Sequence, residues 1–220
     1  YRFPQVDAQW EITYKVFANG IIKVDNRFVA EGTETPMIPR VGLRMQLSEI
    51  LNDLTYYGRG PEENYRDRRT SQFIGEYTTP IKDLYEPYIR PQENEHRTDI
   101  YWCALTTKQK AGLLFIADRT FELNASNYLL GSLDSGETID NGAPRTNETN
   151  HRHLTDPQPV KQVDMFIDYR MMGVGGDNSW GAIAHEPYLI RPGVENAIEY
   201  GFSIVPFDKK ADYKNLIYQY

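Results

Sequence analysis

A repeated alternation of apolar and polar residues, with a period of two, limits this chain to a small set of folds. At least eight segments show it or form short apolar runs, and the clearest lie at residues 10–30, 41–47, 113–117, 121–125, 163–169 and 198–204. A period of two places alternate side chains on one face of a β-strand. The best helix candidate, residues 67–77, contains Gly75 and lacks a sustained apolar stripe. Because parallel strands need crossover helices, the pattern predicts an all-β, antiparallel fold with two packed sheets.

The clearest turn is predicted at Asn19-Gly20, between two alternating runs. An Asn-Gly pair at this place indicates a β-hairpin whose two turn residues both have positive φ. We therefore expect residues 10–18 and 22–30 to form neighbouring antiparallel strands.

The chain is expected to form one domain over residues 1–207, followed by a tail at 208–220 of uncertain order. No low-complexity linker, repeat or shift of composition divides residues 1–207. Two long irregular stretches, at 58–95 and 130–159, separate the predicted strands. Loops of this length in a compact domain usually carry function or are ordered by a partner surface.

Charge and hydropathy exclude several classes of function. The formal net charge is −7 and no run of Lys or Arg is present, so a nucleic-acid partner is not expected. No apolar stretch is long enough to span a membrane. The sequence begins at Tyr1 without a basic-then-apolar leader, which leaves the cytoplasm and the periplasm of a bacterium both open. A single cysteine, Cys103, excludes an internal disulfide and favours a small buried side chain.

The most informative local sequence is GVGGDNSW at 173–180. Its three glycines allow close approach of the backbone to a ligand, and Asp177, Asn178 and Ser179 supply hydrogen-bonding groups. The indole of Trp180 offers a flat apolar face on which the C–H side of a sugar ring can pack. A glycine-rich turn beside a core tryptophan is the alternative interpretation.

Two other clusters have a chemical and a structural interpretation. In a strand, His151 and His153 would share one face and could hold a metal with a third ligand, or they could only hydrogen-bond in a polar layer. Adjacent Glu62 and Glu63 resemble a glycosidase pair, but neighbouring strand residues point to opposite faces. A structural loop held by Arg–carboxylate pairs is favoured there. No catalytic nucleophile and no metal site can be assigned in this chain.

Four segments together resemble the final domain of the large microbial family-two β-galactosidases. They are GRGPEENYRDRRT at 58–70, LYEPYIRPQENEHRTDIYW at 84–102, ETNHRHL at 148–154 and MMGVGGDNSW at 171–180. The resemblance covers roughly residues 39–206 and implies a galactose-mutarotase-like supersandwich of two large antiparallel sheets. It also implies that His151 and His153 have a structural role.

The resemblance implies a function for the whole enzyme and a part in it for this domain. The enzyme would hydrolyse terminal non-reducing β-D-galactose residues with retention of configuration, using glutamates and a magnesium ion that belong to a separate (β/α)₈ barrel domain. This domain would complete the aglycone side of the sugar site with Trp180, while Asp177, Asn178 and Ser179 position its loop. The expected partners are the other domains and a galactoside, and a homo-oligomer of the full-length enzyme stays open.

Two rival functions are compatible with the residues. A free-standing aldose 1-epimerase would use His151 or His153 as the acid and a glutamate as the base. A non-catalytic carbohydrate-binding module would use Trp180 and exposed tyrosines only for stacking.

Overall fold

The computed structural model of the protein describes residues 1–3, 7–30, 36–133, 153–178, 180–193 and 197–219. Within these ranges the chain forms antiparallel strands and one short α-helix, α1 (Tyr213–Leu216). The strands are β1 (Arg2–Phe3), β2 (Ala8–Val16), β3 (Ile22–Ala30), β4 (Arg40–Ser48), β5 (Asp53–Gly60), β6 (Phe73–Pro80), β7 (Arg97–Thr106), β8 (Gly112–Ser126), β9 (Gln162–Met171) and β10 (Ile198–Phe207). Short 3₁₀ turns lie at Ile81–Asp83, Leu130–Leu133 and Glu186–Tyr188. The predicted all-β, antiparallel fold is confirmed.

The described strands form one continuous hydrogen-bonded sheet with a branch. Its main path runs β1-β2-β3-β10-β8-β7-β5-β6, and the branch runs from β8 through β9 to β4. Along one edge of β8, residues 112–117 pair with β10 and residues 122–126 pair with β9. The two predicted strands at 113–117 and 121–125 are therefore a single strand, and it connects the two layers that the sequence predicts as separate sheets.

The branch packs face to face on the main path. Val163, Met165 and Ile167 of β9 share one buried cluster with Phe115 of β8 and Phe202 of β10. Leu43, Met45 and Leu47 of β4 pack against the same cluster. The period of two in β4 and β9 thus places the apolar side chains of each strand on one buried face, as the sequence predicts.

The predicted hairpin is present, but its turn differs from the prediction. β2 and β3 pair from Ala8 with Ala30 to Val16 with Ile22, and the amide N–H of Gly20 donates to the carbonyl of Phe17 at 2.9 Å. Of the turn residues only Gly20 has a positive φ, at 85°. The turn is longer than a two-residue loop, since β2 ends at Val16. Asn19 therefore does not need the left-handed conformation.

The stretch at 58–95, predicted as irregular, contains the end of β5 and all of β6. Among the described strands, β6 pairs only with β5 and forms an edge of the sheet. Phe73 and Ile74 of β6 are exposed, so the strand has no buried apolar face that a pattern could reveal. Its backbone pairing, which extends from Asp53 with Pro80 to Gly60 with Phe73, is a tertiary feature.

The segment after residue 207 packs on the outer face of the sheet. Tyr213, Leu216 and Ile217 lie against the buried cluster that contains Trp102 and Phe207. Lys214 Nζ also donates to Glu76 Oε1 of β6 at 2.6 Å. In the described part of the chain no helix is long and apolar enough to cross a membrane.

Candidate functional site

Trp180 lies on the loop that follows β9, and its side chain faces solvent. Its relative exposure is 92%, the largest among the exposed apolar residues that the structure describes. The interpretation as a core tryptophan is therefore wrong. An exposed indole is free to stack on a ligand or to pack against another domain.

The first half of this loop is held by a carboxylate from a distant part of the chain. Asp67 accepts hydrogen bonds from the amide N–H of Val174 at 3.2 Å and of Gly175 at 2.8 Å. A Cβ at Gly173 would lie 2.6 Å from Asp67 Oδ2 and 2.8 Å from Ala184 Cβ. Only glycine permits this approach, so the glycines of the motif bring the backbone onto Asp67.

The second half of the loop is held by local contacts. A Cβ at Gly176 would lie 2.1 Å from the carbonyl oxygen of Ala182, which shows how closely the two backbone segments meet. Asp177 Oδ1 lies 2.8 Å from His185 Nε2. Asn178 Oδ1 accepts a hydrogen bond from the amide N–H of Trp180 at 2.8 Å. The predicted residues Asp177, Asn178 and Trp180 thus lie together on one loop, while Ser179 lies outside the described residues.

Asp67 and His185 were not predicted as site residues. Asp67 belongs to the motif at 58–70, whose order in the chain resembles the family, but nothing in the sequence pairs it with the glycine loop 107 positions later. His185 lies five residues after Trp180 in the chain. Only the folded chain brings the two side chains to the loop.

The neighbouring Glu62 and Glu63 do not form a catalytic pair. The Glu63 carboxylate contacts the guanidinium of Arg68 and the hydroxyl of Tyr88, and it accepts the amide N–H of Glu95 at 2.9 Å. Glu62 is exposed, and its amide N–H donates to Gln72 Oε1 at 3.1 Å. The loop held by Arg–carboxylate pairs is the confirmed interpretation.

The predicted histidine pair is tested only at His153. This residue is exposed and begins a turn, in which its amide N–H donates to Asp156 Oδ2 at 2.9 Å. The strand geometry assumed for it is wrong, because the turn does not alternate its side chains. His151 lies outside the described residues.

A different histidine, His96, lies at the centre of a buried polar network beneath the 58–70 loop. Its Nε2 is 3.0 Å from Glu122 Oε2 and its Nδ1 is 2.8 Å from Asn124 Oδ1. Burial lowers the pKa of His96, but the hydrogen bond and charge of Glu122 outweigh it and leave the pKa raised. Tyr65 stacks on the imidazole at 5.3 Å between centroids. Both ring nitrogens of His96 have hydrogen-bond partners in the protein, so we interpret His96 as a structural residue.

Glu95 is a strongly perturbed carboxyl group next to this network. Burial raises the pKa of Glu95 to about 8, and a hydrogen bond from the Ser126 hydroxyl at 3.1 Å opposes the shift. The other carboxyl oxygen of Glu95 has no hydrogen-bond partner among the described residues. In the same residues, no three or more His, Cys, Asp or Glu side chains are grouped to hold a metal ion.

Comparison with known proteins places these motifs in a family. The model of the family described as "Beta galactosidase small chain" matches residues 1–204. A β-galactosidase of Priestia megaterium is 32% identical over 183 residues, which are 83% of this chain and 16% of that protein. β-Galactosidases of Streptococcus thermophilus and Lactobacillus delbrueckii subsp. bulgaricus are 29% and 32% identical over 84% and 81% of the chain.

The chain spans about 16% of the length of these relatives. The family match nevertheless covers nearly all the residues of the sheet, including the loop that carries Trp180. The chain therefore belongs to the β-galactosidase small-chain family.

Proposed function

We propose that this chain is the carboxy-terminal domain of a retaining β-galactosidase and supplies the aglycone side of its sugar-binding site. The full-length enzyme would hydrolyse terminal non-reducing β-D-galactose residues. Its catalytic glutamates and its magnesium ion would come from a separate barrel domain. In this proposal no carboxylate of residues 1–220 attacks the substrate or protonates the leaving group.

The observation that carries the proposal is the exposed indole of Trp180 on a closely held loop. A pyranose ring has an apolar C–H face and a rim of hydroxyl groups, so it binds best where a flat ring stands beside short polar side chains. Asp177 and Asn178 precede Trp180 on the same loop and are also exposed. An exposed side chain binds a ligand more tightly when its backbone is already ordered, because less conformational entropy is lost on binding. Contacts with Asp67 and Ala182 hold the backbone of this loop.

The indole would act by orientation. Stacking of the leaving sugar on Trp180 places the scissile bond against reactive groups of the other domain, and a held geometry lowers the barrier without a proton passing through the indole. The same contact retains released glucose long enough for transfer to galactose. Asp177 Oδ1 contacts His185 Nε2. The Asp177 side chain is exposed, so a sugar hydroxyl can also reach its carboxylate.

The two rival functions are less well supported. An epimerase needs a glutamate base beside its histidine acid, whereas the contact that the structure gives His153 is with Asp156 in an exposed turn, and His151 lies outside the described residues. A free-standing carbohydrate-binding module needs no partner domain, whereas the relatives that this chain matches are about six times longer than the matched part. Polarimetry of α-galactose with the chain would expose catalysed mutarotation.

Trp180→Ala in the full-length enzyme tests the platform. Loss of one aromatic stacking contact of about 1.4 kcal/mol corresponds to roughly a tenfold change. We expect about a tenfold weaker use of glucose as a transfer acceptor, with galactose inhibition unchanged, since galactose binds on the other side of the scissile bond. The ratio of transfer to hydrolysis with lactose measures the first effect, and competitive inhibition by galactose measures the second.

Tyr218→Ala is the matched control. Tyr218 is an aromatic residue with 90% exposure near α1, away from the glycine loop in sequence. It should leave both readouts unchanged. Equal transfer ratios for Trp180→Ala and the unmodified enzyme would show that the indole is not part of the aglycone site.

A further inference from the structure

A polar cleft of about 720 Å³ opens on the sheet, apart from the glycine loop. Its walls come from β2, β3, β10 and the segment of β8 around residues 118–122, with Thr13, Asn26, Arg119 and Tyr200 among them. Sites for small ligands have volumes of about 300–1,000 Å³. We infer that this cleft is a second saccharide-binding site of the protein.

Three side chains that line the cleft carry buried polar atoms without a hydrogen-bond partner among the described residues. They are Oδ1 of Asn26 and Nε of Arg66 and Arg170. Asn26 is only 4% exposed, so solvent reaches little of it. Buried polar atoms are almost always paired in folded proteins, because an unpaired one loses its bonds to water without replacement. A ligand that supplies both donors and acceptors at this place would pair them once these side chains turn toward the cleft.

The charges in the cleft favour a neutral ligand with many hydroxyl groups. Arg66 lies 3.4 Å from Glu122, and Arg27 lies 3.3 Å from Glu199. Six carboxylates and four guanidinium groups line the cleft, so a ligand meets charges of both signs and neither an anion nor a cation meets a uniform field. Each hydroxyl of a saccharide can donate to a carboxylate and accept from a guanidinium, which suits such a wall.

Aromatic rings complete one side of the cleft. Tyr169 and Tyr200 lie 6.2 Å apart between ring centroids, and the guanidinium carbon of Arg170 is 5.1 Å from the centroid of Tyr169. Both tyrosines line the cleft and are partly exposed. A sugar ring could pack its C–H face against this side while its hydroxyls reach Asn26 and Arg170.

The inference does not depend on the proposed role of Trp180. No residue of the 173–180 loop that the structure describes lines the cleft. A full-length enzyme whose catalytic pocket is already occupied should therefore still bind saccharide here, and its binding should respond to cleft residues only.

The test uses the full-length enzyme with its catalytic pocket saturated by an imino-sugar mimic of galactose. Saturation-transfer NMR then measures residual binding of lactose. We expect residual binding in the unmodified enzyme and about a tenfold or greater loss in Arg119→Ala and Arg170→Ala, since each removes a charged donor. Arg119 is exposed, so its variant keeps the fold, and equal melting temperatures would show this.

Two control variants separate the outcomes. Arg191→Ala removes an exposed arginine that pairs with Glu186 outside the cleft, and Trp180→Ala removes the platform of the glycine loop. Neither should change residual lactose binding. The inference is overturned if the unmodified enzyme shows no residual binding, if both cleft variants bind normally, or if Trp180→Ala abolishes the signal. The transfer ratio of Trp180→Ala decides the platform role separately.

Discussion

Removal of the Asp67 carboxylate tests whether a distant side chain holds the loop of Trp180. Asp67→Ala deletes two hydrogen bonds, from the amides of Val174 at 3.2 Å and Gly175 at 2.8 Å. Hydrogen bonds to a charged group contribute about 1.5–3 kcal/mol each, but the longer one is at the end of the normal range and both are exposed to solvent. We therefore expect Asp67→Ala to destabilise the ordered conformation of the loop by about 2 kcal/mol. This corresponds to a decrease of roughly 30-fold in the ratio of ordered to open conformations.

The effect on function should be smaller than that of Trp180→Ala. In Asp67→Ala the indole can still adopt its binding position for part of the time, whereas in Trp180→Ala it is absent. The loss of glucose transfer in Trp180→Ala is therefore the upper limit for the loss in Asp67→Ala. The assay is the ratio of glucose transfer to lactose hydrolysis in the full-length enzyme. Transfer should fall several-fold in Asp67→Ala, while galactose inhibition stays constant.

Two further variants define the mechanism. Asp67→Asn keeps one acceptor oxygen and should give an intermediate ratio. Glu186→Ala removes an exposed carboxylate from the segment after the loop, where it pairs with Arg191, and should leave the ratio unchanged. If Asp67→Ala transfers glucose as well as the unmodified enzyme while Trp180→Ala does not, the loop holds itself and the role assigned to Asp67 is wrong.

Two other groups give predictions for stability and reactivity. The pKa of Glu95 rises from 4.5 to about 8 on burial, so the stability contributed by its neutral form is present below 4.5 and is lost as the pH rises toward 8. The melting temperature of Glu95→Gln should accordingly fall less between pH 5 and pH 9 than that of the unmodified chain, and parallel curves for the two proteins would contradict this. Burial also raises the pKa of the Cys103 thiol, and the side chain is fully buried. A thiol reagent should therefore modify Cys103 only when denaturant is present, and rapid labelling of the native protein would refute that expectation.

The sheet class could be predicted because the alternation of side chains is a local property of the chain. Val163, Met165 and Ile167 point to one face whatever the partner strand is, and the structure buries all three. Edge pairing is not local in this sense. No residue of β6 is fully buried, and the strand is held to β5 by backbone hydrogen bonds, so no pattern of apolar residues predicted it.

The candidate site shows the same division. Trp180, Asp177 and Asn178 stand within four residues, so the sequence could assemble them as a possible sugar site. His153 shows the limit of that reasoning, since an assumed strand was a turn and the predicted alternation did not apply.

The sequence by itself determined the antiparallel β class and the family motifs, because both depend on residues that are close in the chain. Only the tertiary structure decided that β8 joins two layers, that the indole of Trp180 faces solvent, and that Asp67 holds its loop. The physical reason is distance along the chain. Asp67 and Gly175 are 108 residues apart, and their hydrogen bond exists only after the sheet has brought the two loops together.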